Sequence, residues 1–182
     1  MCRRVGTPNV AGMYSDAAAR VRQHLEALGS VGEIRVLAEP VPTAAAAAAA
    51  LGCEVGAIAN SLIFEADGAP LLVVASGAHR VHPVRLARRI GTGKIRRADP
   101  GFVLAHTGQA VGGVAPVGHL APVRTVVDQA LAGYPVVWAG GGDEHTMFAN
   151  YLRRAGEDHR RDSRRRRLTP VPAPNPQSSR VR

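Results

Sequence analysis

The Gly/Pro-rich loop GQAVGGVAPVGH, residues 108–119, holds residue types suited to chemistry at a carbonyl group. Gly112, Gly113, Pro116 and Gly118 fall within seven residues of one another. Glycines let a backbone come close to a ligand, and a proline holds a loop in a set shape. Such a loop can aim N–H groups at a developing oxyanion, a task that requires no particular side chain. The same composition also suits a plain tight connection between two ordered segments. The loop by itself does not separate these readings.

The other polar clusters are weaker. Residues 91–94 read GTGK, but position 88 is arginine and Ile95 follows the lysine. Neither the glycine spacing nor the magnesium-binding hydroxyl of a phosphate loop is present. His79 and His82 stand three apart without a third metal ligand at a recognisable spacing, which predicts an exposed loop pair. Asp143, Glu144 and His145 read first as a polar loop. Cys2 and Cys53 cannot build a disulfide framework or a zinc site, and Cys53 reads as buried filler. No Gly-x-Ser-x-Gly elbow marks a serine hydrolase.

The elements that must position the loop follow from periodicity and punctuation. Residues 15–29 read as an amphipathic helix with Ser15 as N-cap and Gly29 at its end. EIRVLA (33–38) alternates polar and apolar as a half-buried strand does. After Pro40 and Pro42, Thr43 can cap a second helix of seven alanines that ends near Leu51-Gly52. VGAIANSLIFEA (55–66) and APLLVVASG (69–77), joined by Asp67-Gly68, read as a hairpin. HPVRLARRIG (82–91) is a short helix with Pro83 in its first turn, and DPGFVLAHTG (99–108) is another closed by Gly108. VRTVVD (123–128) and YPVVWAG (134–140) read as strands separated by the turn QALAG. This irregular mixture predicts an α+β fold, a mixed curved sheet surrounded by short helices, in a single domain over residues 15–150.

Charge is unevenly distributed. The formal net charge is +9, but residues 153–182 carry ten arginines against three carboxylates. The segment 151–182 has almost no apolar periodicity and finishes in proline and serine, so a disordered basic tail is expected there. Such a tail can attract RNA without sequence preference. A flexible leader is expected over 1–14. It lacks the apolar stretch of a secretory signal, and no apolar run approaches the roughly 20 residues that span a bilayer. A cytoplasmic protein without membrane contact is expected.

AAAALG (47–52), IANSLIFEADGAPLLVVASGAHRV (58–81), RRADPGFVLAHTGQAVGGVAPVGH (96–119) and VVD (126–128) follow one another as in the YbaK/EbsC family, which this chain resembles over roughly residues 15–148. The family comprises aminoacyl-tRNA deacylases and the editing domain inserted in bacterial-type prolyl-tRNA synthetases. The resemblance implies trans-editing, the hydrolysis of the ester joining a wrong amino acid to tRNA, without metal or organic cofactor. The partner it implies is the aminoacyl-tRNA 3′ end. The family's Gly-x-x-x-Pro loop matches Gly112 to Pro116, so the resemblance implies that Gly112, Gly113 and Pro116 form the catalytic loop.

Two departures qualify the match. The family's functional lysine falls on Asn60, which offers hydrogen bonds but no positive charge. Past YPVVWAG the family continues into a polar loop and helix, whereas this chain is expected to run into arginine and proline. Substrate-binding candidates are Asn60, Ser61, Thr107, Gly108, Gly118, His119 and His145. Plain structural readings stand beside these: Asn60 as a buried amide, Ser61 as a strand residue, Thr107-Gly108 as a helix end, His119 as a structural histidine and His145 as a loop histidine. Asp128 is expected to cap the following turn. Two other functions stay open: a catalytically weak aminoacyl-nucleotide-binding module of the same fold, and a nonspecific RNA-binding protein acting through its tail.

Overall fold

The computed structural model describes residues 15–30 and 32–151. The leader expected over 1–14 lies outside them, as does the tail expected over 151–182 apart from the backbone of Tyr151. The chain runs α1 (Asp16–Ala27), β1 (Ile34–Val36), α2 (Ala44–Leu51), β2 (Ile58–Ala66), β3 (Ala69–Ser76), α3 (Pro83–Ile90), β4 (Ile95–Arg97), α4 (Pro100–Thr107), β5 (Arg124–Val127), β6 (Val136–Gly140) and β7 (Thr146–Tyr151). Single 3-10 turns lie at Val55–Ala57 and Gln129–Gly133.

The helix boundaries are set by side chains identifiable in the sequence. Ser15, Thr43 and Asp99 each accept the backbone N–H three residues on, at 3.2, 3.2 and 2.9 Å, satisfying a donor that the first helical turn leaves free. Gly52, Gly91 and Gly108 end α2, α3 and α4 in the left-handed conformation. Asp67 and Gly68, with φ of 50° and 86°, make the two-residue turn of the β2–β3 hairpin.

The seven strands form one mixed sheet in the order β1-β7-β6-β2-β3-β5, and β4 also pairs β2. The β2–β6 and β3–β5 pairs are parallel and the others antiparallel. Helices cover both faces. On one face Val21 and Leu25 of α1 and Val103 of α4 bury against Ala59, Ile63, Leu72 and Phe148. On the other, Ala44, Ala47 and Ala48 of α2 meet Ile58, Trp138 and Met147, while Ala87 of α3 meets Phe64, Leu71 and Val73. The alanine run is thus a helix whose small side chains bring its axis close to the sheet.

Two strands differ from the reading of the sequence. The chain does not pass from YPVVWAG straight into arginine and proline: Thr146–Tyr151 forms β7, which pairs with both β1 and β6. Residues 95–97, Ile-Arg-Arg, are too short and polar to announce themselves, yet they pair with Phe64–Ala66. The GTGK segment before them closes on Asp67, whose carboxylate accepts the Thr92 hydroxyl at 2.6 Å and the Gly93 and Lys94 amides at 2.8 Å. Those bonds hold the Asp67 carboxyl below its ordinary range, the Thr92 bond most of all. Amides that resembled a phosphate cradle serve a side chain of the protein itself.

Candidate functional site

β2 is the centre of the site because its pairing is interrupted. On one side it pairs with β3 along its length. On the other, β6 pairs only Ile58 and Ala59, and β4 pairs only Phe64, Glu65 and Ala66. Residues 60–63 therefore have no strand beside them on that edge. A cavity of about 690 Å³ occupies the gap. Its lining includes Asn60, Ser61 and Ile63 from β2, Gly112 and Val114 from the glycine-rich loop, and Thr43 at the start of α2.

The loop reaches the gap beside the end of β6. A side chain on Gly140 would meet the Val114 and Gly113 carbonyls, so the loop crosses directly over that residue. The Gly113 carbonyl accepts the Gly142 amide at 3.0 Å, fixing the crossing. From inside the loop, Gln109 acts as a staple and is wholly buried. Its Oε1 accepts the Ala115 amide at 2.6 Å, and its Nε2 donates to the Val117 and Gly118 carbonyls at 3.0 and 3.2 Å. Gly112 adopts φ of 101°, which favours glycine, and remains exposed at the cavity. Among the described residues, neither the Gly112 nor the Val114 amide has an acceptor.

The sequence candidates divide into two groups. Asn60, Ser61 and Gly112 come together around the cavity. Asn60 is half-buried there, which excludes the fully buried amide. The hydroxyl of Ser61 is buried and has no hydrogen-bond partner among the described residues. Gly113 is buried behind the lining, its amide donating to the Ala110 carbonyl at 3.1 Å. Pro116 is half-buried and does not border the cavity.

The other candidates do not line the cavity; all but His145 support the loop. The Thr107 hydroxyl donates to the Val103 carbonyl at 2.7 Å and accepts the Gln109 amide at 3.0 Å. Gly108 ends α4, and its carbonyl accepts Arg20 at 2.7 Å. Gly118 packs on Val21 of α1. His119 donates from Nε2 to the Ala115 carbonyl at 2.8 Å; burial is the main cause lowering its pKa, so the imidazole is held neutral. His145 donates from Nδ1 to the Leu37 carbonyl at 3.1 Å and ties β7 to the end of β1. Asp128 caps the turn after β5, accepting Ala130 at 3.0 Å, as expected.

Sequence reading missed Val114, Arg80, Arg97 and the part played by His79, all of which border the cavity. Arg80 and Arg97 are exposed, and no carboxylate lines the cavity among the described residues, so its opening is cationic. Asn60 brings no charge to this lining, whereas Arg80 and Arg97 do. His79 and His82 are exposed, as expected of a loop pair, and His79 Nδ1 donates to Asp128 Oδ2 at 2.7 Å. Cys53 is half-buried rather than buried, its thiol pKa raised chiefly by desolvation, and it lies outside the cavity.

Comparison with known proteins bears on the same region. The aminoacyl-tRNA editing domain family matches residues 38–153. A proline–tRNA ligase of Geobacter sp. (strain M21) is 30% identical over 105 residues, which cover 57% of this chain and 18% of the ligase. That of Nitratidesulfovibrio vulgaris (strain DP4) is 32% identical over 107 residues, 58% of this chain and 19% of the ligase. The chain thus spans under a fifth of these ligases. A crystal structure described as a candidate trans-editing enzyme for prolyl tRNA synthetase superposes with a TM-score of 0.70 at 38% identity, covering 76% of this chain and 88% of that one. The structure of a hypothetical protein superposes at 0.68 with 30% identity, covering 73% and 89%.

Proposed function

Because this chain belongs to the aminoacyl-tRNA editing domain family, as a YbaK/EbsC-like domain homologous to the editing domain of prolyl-tRNA synthetase, we propose that it hydrolyses the ester joining a wrongly attached amino acid to tRNA. The observation that carries this reading is the cavity beside the interrupted edge of β2. There Gly112 and Val114, whose amides have no acceptor among the described residues, line the same space as Asn60 and Ser61.

An aminoacyl ester is already activated, so its hydrolysis requires a positioned water or an attacking group of the substrate, not a covalent nucleophile of the protein. The loop contributes stabilisation of the oxyanion. Two amides held by the Gln109 staple and the Gly113–Gly142 bond require no reorganisation as charge develops on the carbonyl oxygen. One such donor is worth on the order of 3 kcal/mol of barrier. Arg80 and Arg97 at the opening favour a phosphate-bearing substrate and supply what the family's lysine would otherwise provide. Selectivity among amino acids rests on cavity shape, where one methylene is worth roughly 1–3 kcal/mol.

The deciding experiment is deacylation of a panel of mischarged tRNAs at low protein concentration. Multiple turnovers on one or a few members support the proposal. Saturable binding of aminoacyl-adenosine analogues with no turnover would replace it with the binding-module reading. RNA binding that is indifferent to the amino acid would replace it with nonspecific association.

A further inference from the structure

The hairpin fixes which backbone groups of β2 face the cavity. In an antiparallel pair joined by a two-residue turn, the residues flanking the turn exchange hydrogen bonds, and the bonded pairs then recur at every second residue. With Asp67-Gly68 as the turn, Ala66, Phe64, Leu62 and Asn60 bond to Ala69, Leu71, Val73 and Ala75. Pro70, which has no N–H, stands opposite Glu65 at a non-bonded position, as this register requires. The N–H and C=O groups of Ala59, Ser61, Ile63 and Glu65 therefore point away from β3. Ala59 is taken up by β6 and Glu65 by β4. Ser61 and Ile63 are left facing the gap, and neither has a backbone partner there among the described residues.

Unpaired backbone groups at a strand edge are a template for another strand. The strand that stops short here, β6, runs parallel to β2 and ends at Gly140. In a parallel ladder, one residue of the added strand donates its N–H to one carbonyl and accepts from the N–H two residues further along. An α-amino acid carries both functions in one unit. We infer that the aminoacyl group binds as a one-residue continuation of β6, opposite Leu62, its ammonium donating to the Ser61 carbonyl and its ester carbonyl accepting the Ile63 amide. This rests on the proposed editing reaction and adds how the amino acid is recognised. The second lone pair of the ester carbonyl is left for the loop amides. This is strand addition reduced to a single residue. It reads the backbone of the amino acid and leaves the side chain to the cavity walls.

The test uses the smallest side chain, so that cavity size does not decide the result. Hydrolysis of alanyl-, N-acetylalanyl- and lactyl-tRNA by the full chain is measured, each rate divided by its spontaneous rate. In parallel, binding of the non-hydrolysable 3′-alanylamino-3′-deoxyadenosine is compared with its N-acetyl and lactyl counterparts, with amide exchange followed at Ser61 and Ile63. The inference expects the alanyl compound to bind at least tenfold tighter than either counterpart. It also expects the Ile63 amide to become protected only on binding. Equal affinity for the three amides, no affinity for the alanyl amide, or an Ile63 amide unaffected by a bound ligand overturns it. Failure to hydrolyse any ester, with the binding preference intact, removes the editing reaction and leaves the recognition standing.

Discussion

Gln109 Oε1 accepts the Ala115 amide at 2.6 Å across the base of the glycine-rich loop, and the Gln109 side chain has no exposure to solvent. A buried donor stripped of its acceptor costs about 1–3 kcal/mol. Gln109→Ala strands the Ala115 amide and the Val117 and Gly118 carbonyls together, so a loss of about that size or more is expected in a urea titration. Gln109→Glu should do no better, because a carboxylate can accept from Ala115 but cannot donate to the two carbonyls. Deacylation should fall in both variants through kcat, since the loop amides lose their fixed positions.

Adjacent glycines should respond differently. A side chain at Gly113 would run into the backbone of Asp143, so Gly113→Val is expected to lower the melting temperature markedly. Gly112 meets nothing within 4 Å, and its cost is confined to a φ of 101°. Gly112→Ala should therefore fold with a penalty of roughly 1–3 kcal/mol and lose activity beyond what its residual unfolding explains. A Gly113→Val protein as stable as wild type would mean that the loop does not sit against the Asp143 turn.

Asn60→Lys restores a cation at a half-buried position on the cavity wall. The ammonium can reach the cationic opening, so thermal stability should change little. Affinity for uncharged tRNA should rise, and its log–log dependence on salt should steepen by about 0.7, one single-strand phosphate contact. Turnover need not follow, because uniform binding leaves the chemical barrier unchanged.

Arg80→Gln and Arg97→Gln should act in the opposite sense. Each is expected to make the salt dependence of tRNA binding shallower by about 0.7 while leaving the melting temperature near wild type. The tail arginines are common to all variants, so the difference between slopes reports the cavity opening. Unchanged slopes in both variants would place the RNA elsewhere.

Acid should weaken the contacts that Asp143 and Asp128 make. At Asp143, burial alone would raise the pKa, but bonds from Ser15, Thr146 and His145 outweigh it and hold the carboxyl below its ordinary range. At Asp128, burial is likewise outweighed by bonds from Ala130, His79 and Ser76. A depressed carboxyl contributes stability that is complete above the unfolded value of about 3.9 and is lost as pH falls through the folded value. Asp143→Asn should therefore be less stable than wild type at neutral pH, and the gap should close as pH drops below about 4. A gap that is independent of pH would show that the carboxylate charge contributes nothing.

The sequence alone determined whatever depends on neighbours along the chain. The caps at Ser15, Thr43 and Asp99, the ends at Gly52, Gly91 and Gly108, and the Asp67-Gly68 turn are local steric and hydrogen-bond preferences, and each stands where it was read. Motif order did the same for the family, since it survives wide divergence in individual residues. What pairing decides was out of reach. Ile95–Arg97 becomes a strand because β2 offers it an edge, and Thr146–Tyr151 because β1 and β6 flank it. The site is of the same kind. Ser61 acquires a free backbone edge only because β6 stops at Gly140 and β4 begins to pair at Phe64, and Arg80 and Arg97 reach one cavity from distant parts of the chain. Gln109 gave no signal as a lone polar residue beside glycine; its function exists only once the loop has folded around it.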